Sequence, residues 1–197
     1  MNEVELKGVV ADPGAARAAL QRAGAALVYA GQLTDRRFDT AQRGLAGAGE
    51  VLRVRVYGAG ARPRATLDWK GPVRRDRGYK EREELSTGVA DAASLVEILG
   101  RLGYVLTREI DREIEQFELG DAVLRLERYP RMDVLMEVEG APDAIERAIA
   151  AAGLPRDAFS TDRLPEFARR FERRTGERAA LSLRELGGDY RFRLDDA

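Results

Sequence analysis

Close to its start the chain carries Glu3-x-Glu5-x-Lys7. On an extended strand this spacing puts all three side chains on one face, with the two carboxylates about 6 to 7 Å apart. Two carboxylates at that separation can share oxygen ligation of a divalent ion, and the neighbouring ammonium can grip a phosphate oxygen. Such a triplet is common by chance, so its meaning depends on what else the chain offers. The sequence contains no histidine and no cysteine. That excludes an imidazole base, a histidine or thiolate zinc site and any disulfide framework. Metal chemistry here must use oxygen ligands, which suits Mg²⁺ or Mn²⁺.

The cations are unusual in kind. Of 33 lysine and arginine residues only Lys7, Lys70 and Lys80 are lysine, leaving 30 arginines. Arginine codon bias explains the excess, and each retained lysine then asks why a compact ammonium was kept there. Charged residues form 34% of the chain, yet the formal net charge is -1. A dedicated nucleic-acid binder would carry a clear basic excess, so that class is set aside. No apolar stretch approaches the length of a membrane span, and the first residues lack the pattern of a signal peptide. The expected location is the cytoplasm, with no membrane partner.

These residues need elements to hold them. Four segments read as helices. Asp12 followed by Pro13 opens the first, which runs through Gly14–Gly24. Asp91 opens the second, through Leu102, and Gly103 stops it. Pro142 precedes Asp143–Ala152, with Gly153 at its end, and Leu164–Thr175 is closed by Gly176. Between them lie stretches of period 2, the mark of strands: residues 3–7, 52–57, 66–70, 124–127 and 134–139, with weaker patterns at 79–85 and 108–119. Gly58–Arg64 and Gly71–Gly78 read as loops. Glu177–Ala197 matches neither period and reads as a short strand or an ordered tail.

Any antiparallel sheet with one solvated face alternates in this way. The polar faces here, however, are almost wholly Glu, Arg and Lys at adjacent same-face positions. Like charges this close repel, and the pattern is best tolerated around a counter-charged ligand or metal.

The order of several short pieces goes further. Glu3-Val4-Glu5-Leu6-Lys7 is followed by Asp35-Arg36-Arg37-Phe38-Asp39-Thr40, then Leu52-Arg53-Val54-Arg55, Trp69-Lys70-Gly71-Pro72, Glu81-Arg82-Glu83-Glu84 and Leu102-Gly103-Tyr104. Leu124-Arg125-Leu126-Glu127 and Glu137-Val138-Glu139 complete the series. Over Glu3 to about Ser182 this resembles the CYTH family, the triphosphate tunnel metalloenzymes that include class IV adenylyl cyclases and thiamine triphosphatases.

The resemblance implies an α+β fold: an eight-stranded antiparallel β-barrel with helices packed outside and charged faces in the lumen. It implies a tunnel domain over 1–182, followed by a tail at 183–197. By the same resemblance Glu3, Glu5 and Glu127 would ligate Mg²⁺ or Mn²⁺, with Glu137 and Glu139 supporting. Lys7, Arg53, Arg55, Lys70 and Arg82 would bind phosphates, and Glu84 would orient them. Lys70 and Glu5 are the candidate catalytic residues. Two departures stand out. Of two basic residues usual on the strand after the central helix, one is matched by Arg112 while the other falls on Ile114, a gap that an inward Arg125 could fill. The usual tyrosine before Phe-Asp-Thr is Arg37. The implied substrate is a small-molecule triphosphate, with adenylyl cyclisation of ATP first, hydrolysis of a triphosphate second, and a non-catalytic polyphosphate or nucleotide binder third. Exposed outer strands are compatible with a homodimer.

Overall fold

The computed structural model describes residues 2–58, 64–76 and 78–197, the side chains of Asn2, Glu3 and Asp76 excepted. Glu3 therefore lies outside the described side chains, and residues 59–63 of the Gly58–Arg64 loop lie outside the described residues. In chain order the strands are β1 (Asn2–Val9), β2 (Ala26–Thr40), β3 (Val51–Tyr57), β4 (Arg64–Lys70), β5 (Arg74–Asp76), β6 (Tyr79–Val89), β7 (Tyr104–Leu119), β8 (Ala122–Arg128), β9 (Leu135–Glu139) and β10 (Phe159–Ser160). The helices are α1 (Pro13–Arg22), α2 (Gly44–Gly47), α3 (Ala92–Arg101), α4 (Pro142–Ala151), α5 (Leu164–Thr175) and α6 (Leu183–Leu186).

Neighbouring strands follow the order β1-β9-β8-β7-β2-β3-β4-β6, all antiparallel, and β6 returns to pair with β1. The sheet is thus a closed eight-stranded barrel, to which β5 and β10 add short edges. Closure removes the open strand edges that would otherwise pair with other chains. No helix among the described residues is long and apolar enough to cross a membrane.

The alternation arises because the outer face of the sheet packs on helices while the inner face carries the charged side chains. On the outer face, Leu6, Phe117, Leu124, Met136 and Val138 pack under Leu20 of α1 and Ile145 and Ile149 of α4. Phe38 and Val54 pack under Leu99 of α3. The helix ends behave as the caps predict. Asp12 accepts from the Ala15 amide, Asp91 accepts from Ala93 and Ser94, and α5 stops at Gly176 with φ 74°.

β2, β5, the two-residue β10, α2 and α6 were not legible as such in the sequence. β2 begins with an apolar run and then places charge on both faces, so neither period dominates. β5 lies inside the Gly71–Gly78 segment expected to be a loop. α2 and α6 are single turns. Residues 177–197 are ordered against the barrel: Ala180 bridges to Arg131, and Leu181 and Ala197 pack with Leu164 and Phe167 of α5 on Ile110, Tyr129 and Leu135. By the period of their strands the last three share a face with Arg112, Glu127 and Glu137. Helix α5 and the 177–197 segment therefore cover part of one end of the barrel.

Candidate functional site

The lumen is built from alternate residues of the barrel strands. Its cavity has a volume of about 90 Å³ and is lined by ten cationic side chains against five carboxylates, a surplus that suits a polyanion. Glu5, Lys7, Arg53, Arg55, Lys70, Arg82, Arg112, Arg125, Glu137 and Glu139 all border it. These are the expected residues, gathered from β1, β3, β4, β6, β7, β8 and β9. Glu84 and Glu127 stand next to them without bordering the cavity. Where the charge pattern suggested a ligand between like charges, the facing strands themselves supply much of the compensation.

The carboxylates fall into two groups. Among the described residues, Glu5, Glu137 and Glu139 bring oxygens within 4.8 Å of one another. This all-oxygen set fits a hard divalent cation, and it is the only kind of set a chain without histidine or cysteine can offer. Glu137 meets Lys7 at 2.6 Å and Arg125 at 2.7 Å, Arg125 also holds Glu139, and Lys80 holds Glu5. A cation there would take the place of these ammonium and guanidinium partners.

Glu127 is 1% exposed and is engaged elsewhere. Tyr129 donates to it at 2.7 Å, and Lys7 and Arg112 lie at 3.4 and 3.3 Å. Burial alone would raise its pKa, but Arg112 and Lys7 hold it below the ordinary carboxylate value. The buried Tyr129 hydroxyl is pushed up, by burial first and then by Glu127. Glu127 thus contacts two cations of the lumen and lies outside the convergent trio.

Arg53, Arg55 and Arg112 are positioned by two aspartates, Asp35, which opens the Asp35–Thr40 motif, and Asp68, which lies outside every motif. Asp35, 1% exposed, accepts from Arg55 at 2.7 and 2.9 Å and from Arg112 at 2.6 Å, with Arg53 at 3.5 Å. Burial opposes its charge, yet Arg55, Arg53 and Arg112 hold it well below the usual range. Asp68 accepts from Arg53 at 2.8 and 2.9 Å and from Ser86 at 2.6 Å. The register across β2, β3 and β4 makes this possible, since Asp35 faces Arg55 and Arg53 faces Asp68. Lys70 pairs with Glu84, its register partner on β6.

All three lysines of the chain border the cavity. Lys7 and Lys70 sit on motif positions, while Lys80 was signalled only by the scarcity of its type. Ile114 faces Glu127 in the register and is 1% exposed, so an apolar side chain occupies the second basic position. Arg125 contributes a cation to the lumen beside it.

Next to the lumen lies a vestibule of about 610 Å³. Residues around 43–51 and 72–75 form one wall, and Arg163, Glu166 and the 195–197 segment form another. Its size falls among small-molecule sites, and it shares Arg37, Arg82 and Ala197 with the lumen.

Comparison with known proteins agrees with this geometry. No curated protein matches the chain in sequence. Among solved structures, a candidate adenylate cyclase from Vibrio parahaemolyticus superimposes with a TM-score of 0.71 at 22% identity, covering 84% of this chain and 96% of its own. The PH1012 protein of Pyrococcus horikoshii gives 0.67 at 17% identity, over 84% and 98%. A candidate adenylyl cyclase from Hippeastrum, described as having a dominant triphosphatase activity, gives 0.60 at 19%, over 91% and 99%. At these identities the likeness is one of fold. Sequence carries it further: residues 1–148, well over half the chain, match the family model of the CYTH domain, and the chain belongs to the CYTH family.

Proposed function

We propose that this protein is a metal-dependent enzyme that cleaves a phosphoanhydride bond of a triphosphate held in the barrel lumen. The observation that carries the reading is the meeting, in one enclosed cavity, of a surplus of cations with three convergent carboxylates. A triphosphate carries about four negative charges, and a charged wall with little water around it binds such an anion far more strongly than an open surface does.

Glu5, Glu137 and Glu139 would hold Mg²⁺ or Mn²⁺, which when bound neutralises phosphoryl oxygens and polarises the bond to be broken. Glu3 is a further candidate ligand by its place on β1. Lys7, Lys70 and Lys80 grip phosphoryl oxygens as compact charges, and Arg53, Arg55, Arg82, Arg112 and Arg125 surround the chain of phosphates. Asp35, Asp68 and Glu127 hold Arg53, Arg55 and Arg112 in place, so little reorganisation of these three accompanies binding. Glu84 orients Lys70.

Hydrolysis is favoured over the cyclisation that the sequence resemblance put first, because Phe38, the one aromatic side chain among the described residues lining the vestibule, is 4% exposed and offers no open face to a base. A water oxygen bonds to the terminal phosphorus, the bond from that phosphorus to the bridging oxygen breaks, and the water proton passes to Glu5. Lys70 stabilises the charge left on the bridging oxygen of the departing diphosphate. Adenylyl cyclisation is the second reading, favoured by a vestibule large enough for a nucleoside. In it the 3′-hydroxyl attacks the α-phosphorus and pyrophosphate leaves. The Vibrio protein, described as a candidate adenylate cyclase, supports cyclisation, and the dominant triphosphatase activity described for the Hippeastrum protein supports hydrolysis. On either reading residues 1–182 form the tunnel domain and 183–197 an appendage to it.

Product analysis by phosphorus NMR separates them. With Mg²⁺ and a panel of ATP, tripolyphosphate and thiamine triphosphate, orthophosphate is expected. Cyclic AMP with pyrophosphate would establish the second reading. Binding without turnover across the panel and both metals would leave only a binding module.

A further inference from the structure

Arg37 differs from the other arginines of the lumen. The pairing of β2 with β7 sets it directly opposite Arg108, so two guanidinium groups start from facing positions. Like charges placed this way are destabilising unless each is answered. Arg108 is answered: Glu185 accepts from its two terminal nitrogens at 2.7 and 2.9 Å in the interior. Arg37 receives no such partner. Among the described residues no carboxylate lies within ion-pair distance of it. Its Nη1 donates to the backbone carbonyl of Asp196 at 3.0 Å, and its buried Nε has no hydrogen-bond partner.

A carbonyl orients a guanidinium without cancelling its charge. Burial and then Arg53 push the Arg37 pKa down to about 9; Asp35 pulls the other way without pairing with it, and Arg112 and Arg82 add to the fall, so its charge is only partly compensated. The register also slips between Arg37 and Phe38, with Thr107 as the extra residue on β7. Irregularities of this kind re-aim side chains beside functional sites. Arg37 borders the lumen and the vestibule at once. Among the described residues the vestibule offers no open aromatic face there, because Phe38, the one aromatic that lines it, is 4% exposed and packs with Val54 and Leu99.

An unused buried donor on a partly compensated cation calls for an anion. We propose that Arg37 forms an additional phosphoryl subsite at the junction of lumen and vestibule, so that the tunnel takes a linear polyphosphate chain longer than a triphosphate. The proposal rests on the triphosphate reading above and adds a fourth position to it.

Titration calorimetry with the Mg²⁺ complexes of tripolyphosphate and tetrapolyphosphate tests it. The wild type should bind the longer chain about tenfold more tightly or better, the worth of one charge-assisted contact. Arg37→Gln should erase that preference while tripolyphosphate affinity stays within about twofold, and Arg37→Lys should restore part of the preference. The Gln variant should melt close to the wild type, since it removes a guanidinium that no carboxylate among the described residues pairs with and gives up its contact with the Asp196 carbonyl. A wild type with no preference, a variant that keeps it, or an equal loss for both chains would overturn this inference and leave the triphosphate reading standing. Failure of the wild type to bind either chain would overturn both.

Discussion

Glu5 on β1 and Lys80 on β6 lie directly opposite each other where the barrel closes, and their side chains pair inside the lumen. One ion pair thus joins the strand that closes the sheet to one of the three convergent carboxylates. The side chains are only 9% and 12% exposed, so the pair is screened little by solvent.

Glu5→Gln keeps the shape of the side chain and removes a hard anionic ligand. Divalent-metal-dependent turnover is expected to fall on the order of 100-fold or more. Lys80 loses its partner, so stability should drop by about 1–3 kcal/mol. Steady-state rates at saturating Mg²⁺, with urea unfolding of the same samples, read the two effects separately. Undiminished turnover would remove Glu5 from the metal site.

Lys70→Ala should weaken every triphosphate tested by a similar factor, about 10- to 100-fold for the loss of a charge-assisted contact. Lys70→Arg should restore little, because a planar fork does not replace a compact ammonium beside Glu84. Binding titrations with tripolyphosphate and ATP check both points. An unchanged affinity in the alanine variant would take Lys70 out of the site.

Beside its bridge to Arg131 and its apolar packing, the 177–197 segment is tied down by one buried ion pair. Arg108 is 1% exposed and Glu185 3%, and Glu185 also accepts from the Leu181 amide at 2.8 Å. Glu185→Gln leaves Arg108 charged, buried and opposite Arg37, at a cost of about 3–5 kcal/mol. Hydrogen exchange should show the amides of 180–188 exposed first. Protection equal to the wild type would contradict this anchoring.

Acid should loosen the protein through its lumen. Burial by itself would raise the Glu137 pKa, but Lys7 and Arg125 hold it well below its ordinary 4.5. Arg55, Arg53 and Arg112 likewise hold Asp35 well below 3.8. Because these folded-state values are depressed, both groups add stability that is complete above the ordinary values. It drains away as pH falls below them, by up to about 1.4 kcal/mol per pH unit for each group. Urea midpoints should be flat from pH 8 to 5 and fall steeply below about 4.5. Glu137→Gln should fall less steeply. A wild-type midpoint unchanged down to pH 3 would contradict the assignment.

Much of the scaffold was legible in the sequence because its determinants are local. Asp12, Asp91 and Gly176 mark helix ends through their own side chains or backbone, and the period of β3, β8 and β9 survives because one face packs on helices while the other carries charged side chains. The pairings that organise the site are not local. Asp35 becomes the partner of Arg55 and Arg112 only once β2, β3 and β7 are in register, and Glu185 meets Arg108 across 77 positions. Glu127 shares the lumen face of the other glutamates, and only the coordinates show that Tyr129, Lys7 and Arg112 engage its oxygens. Lys80 was marked by residue type alone.

The central claim is that acidic and basic side chains spaced two apart enclose a metal-triphosphate site. Calorimetric titration of tripolyphosphate into the wild type, with Mg²⁺ and then with EDTA, tests it most directly. Micromolar binding that weakens at least tenfold on chelation is expected. No measurable heat up to millimolar tripolyphosphate, with or without the metal, would contradict it.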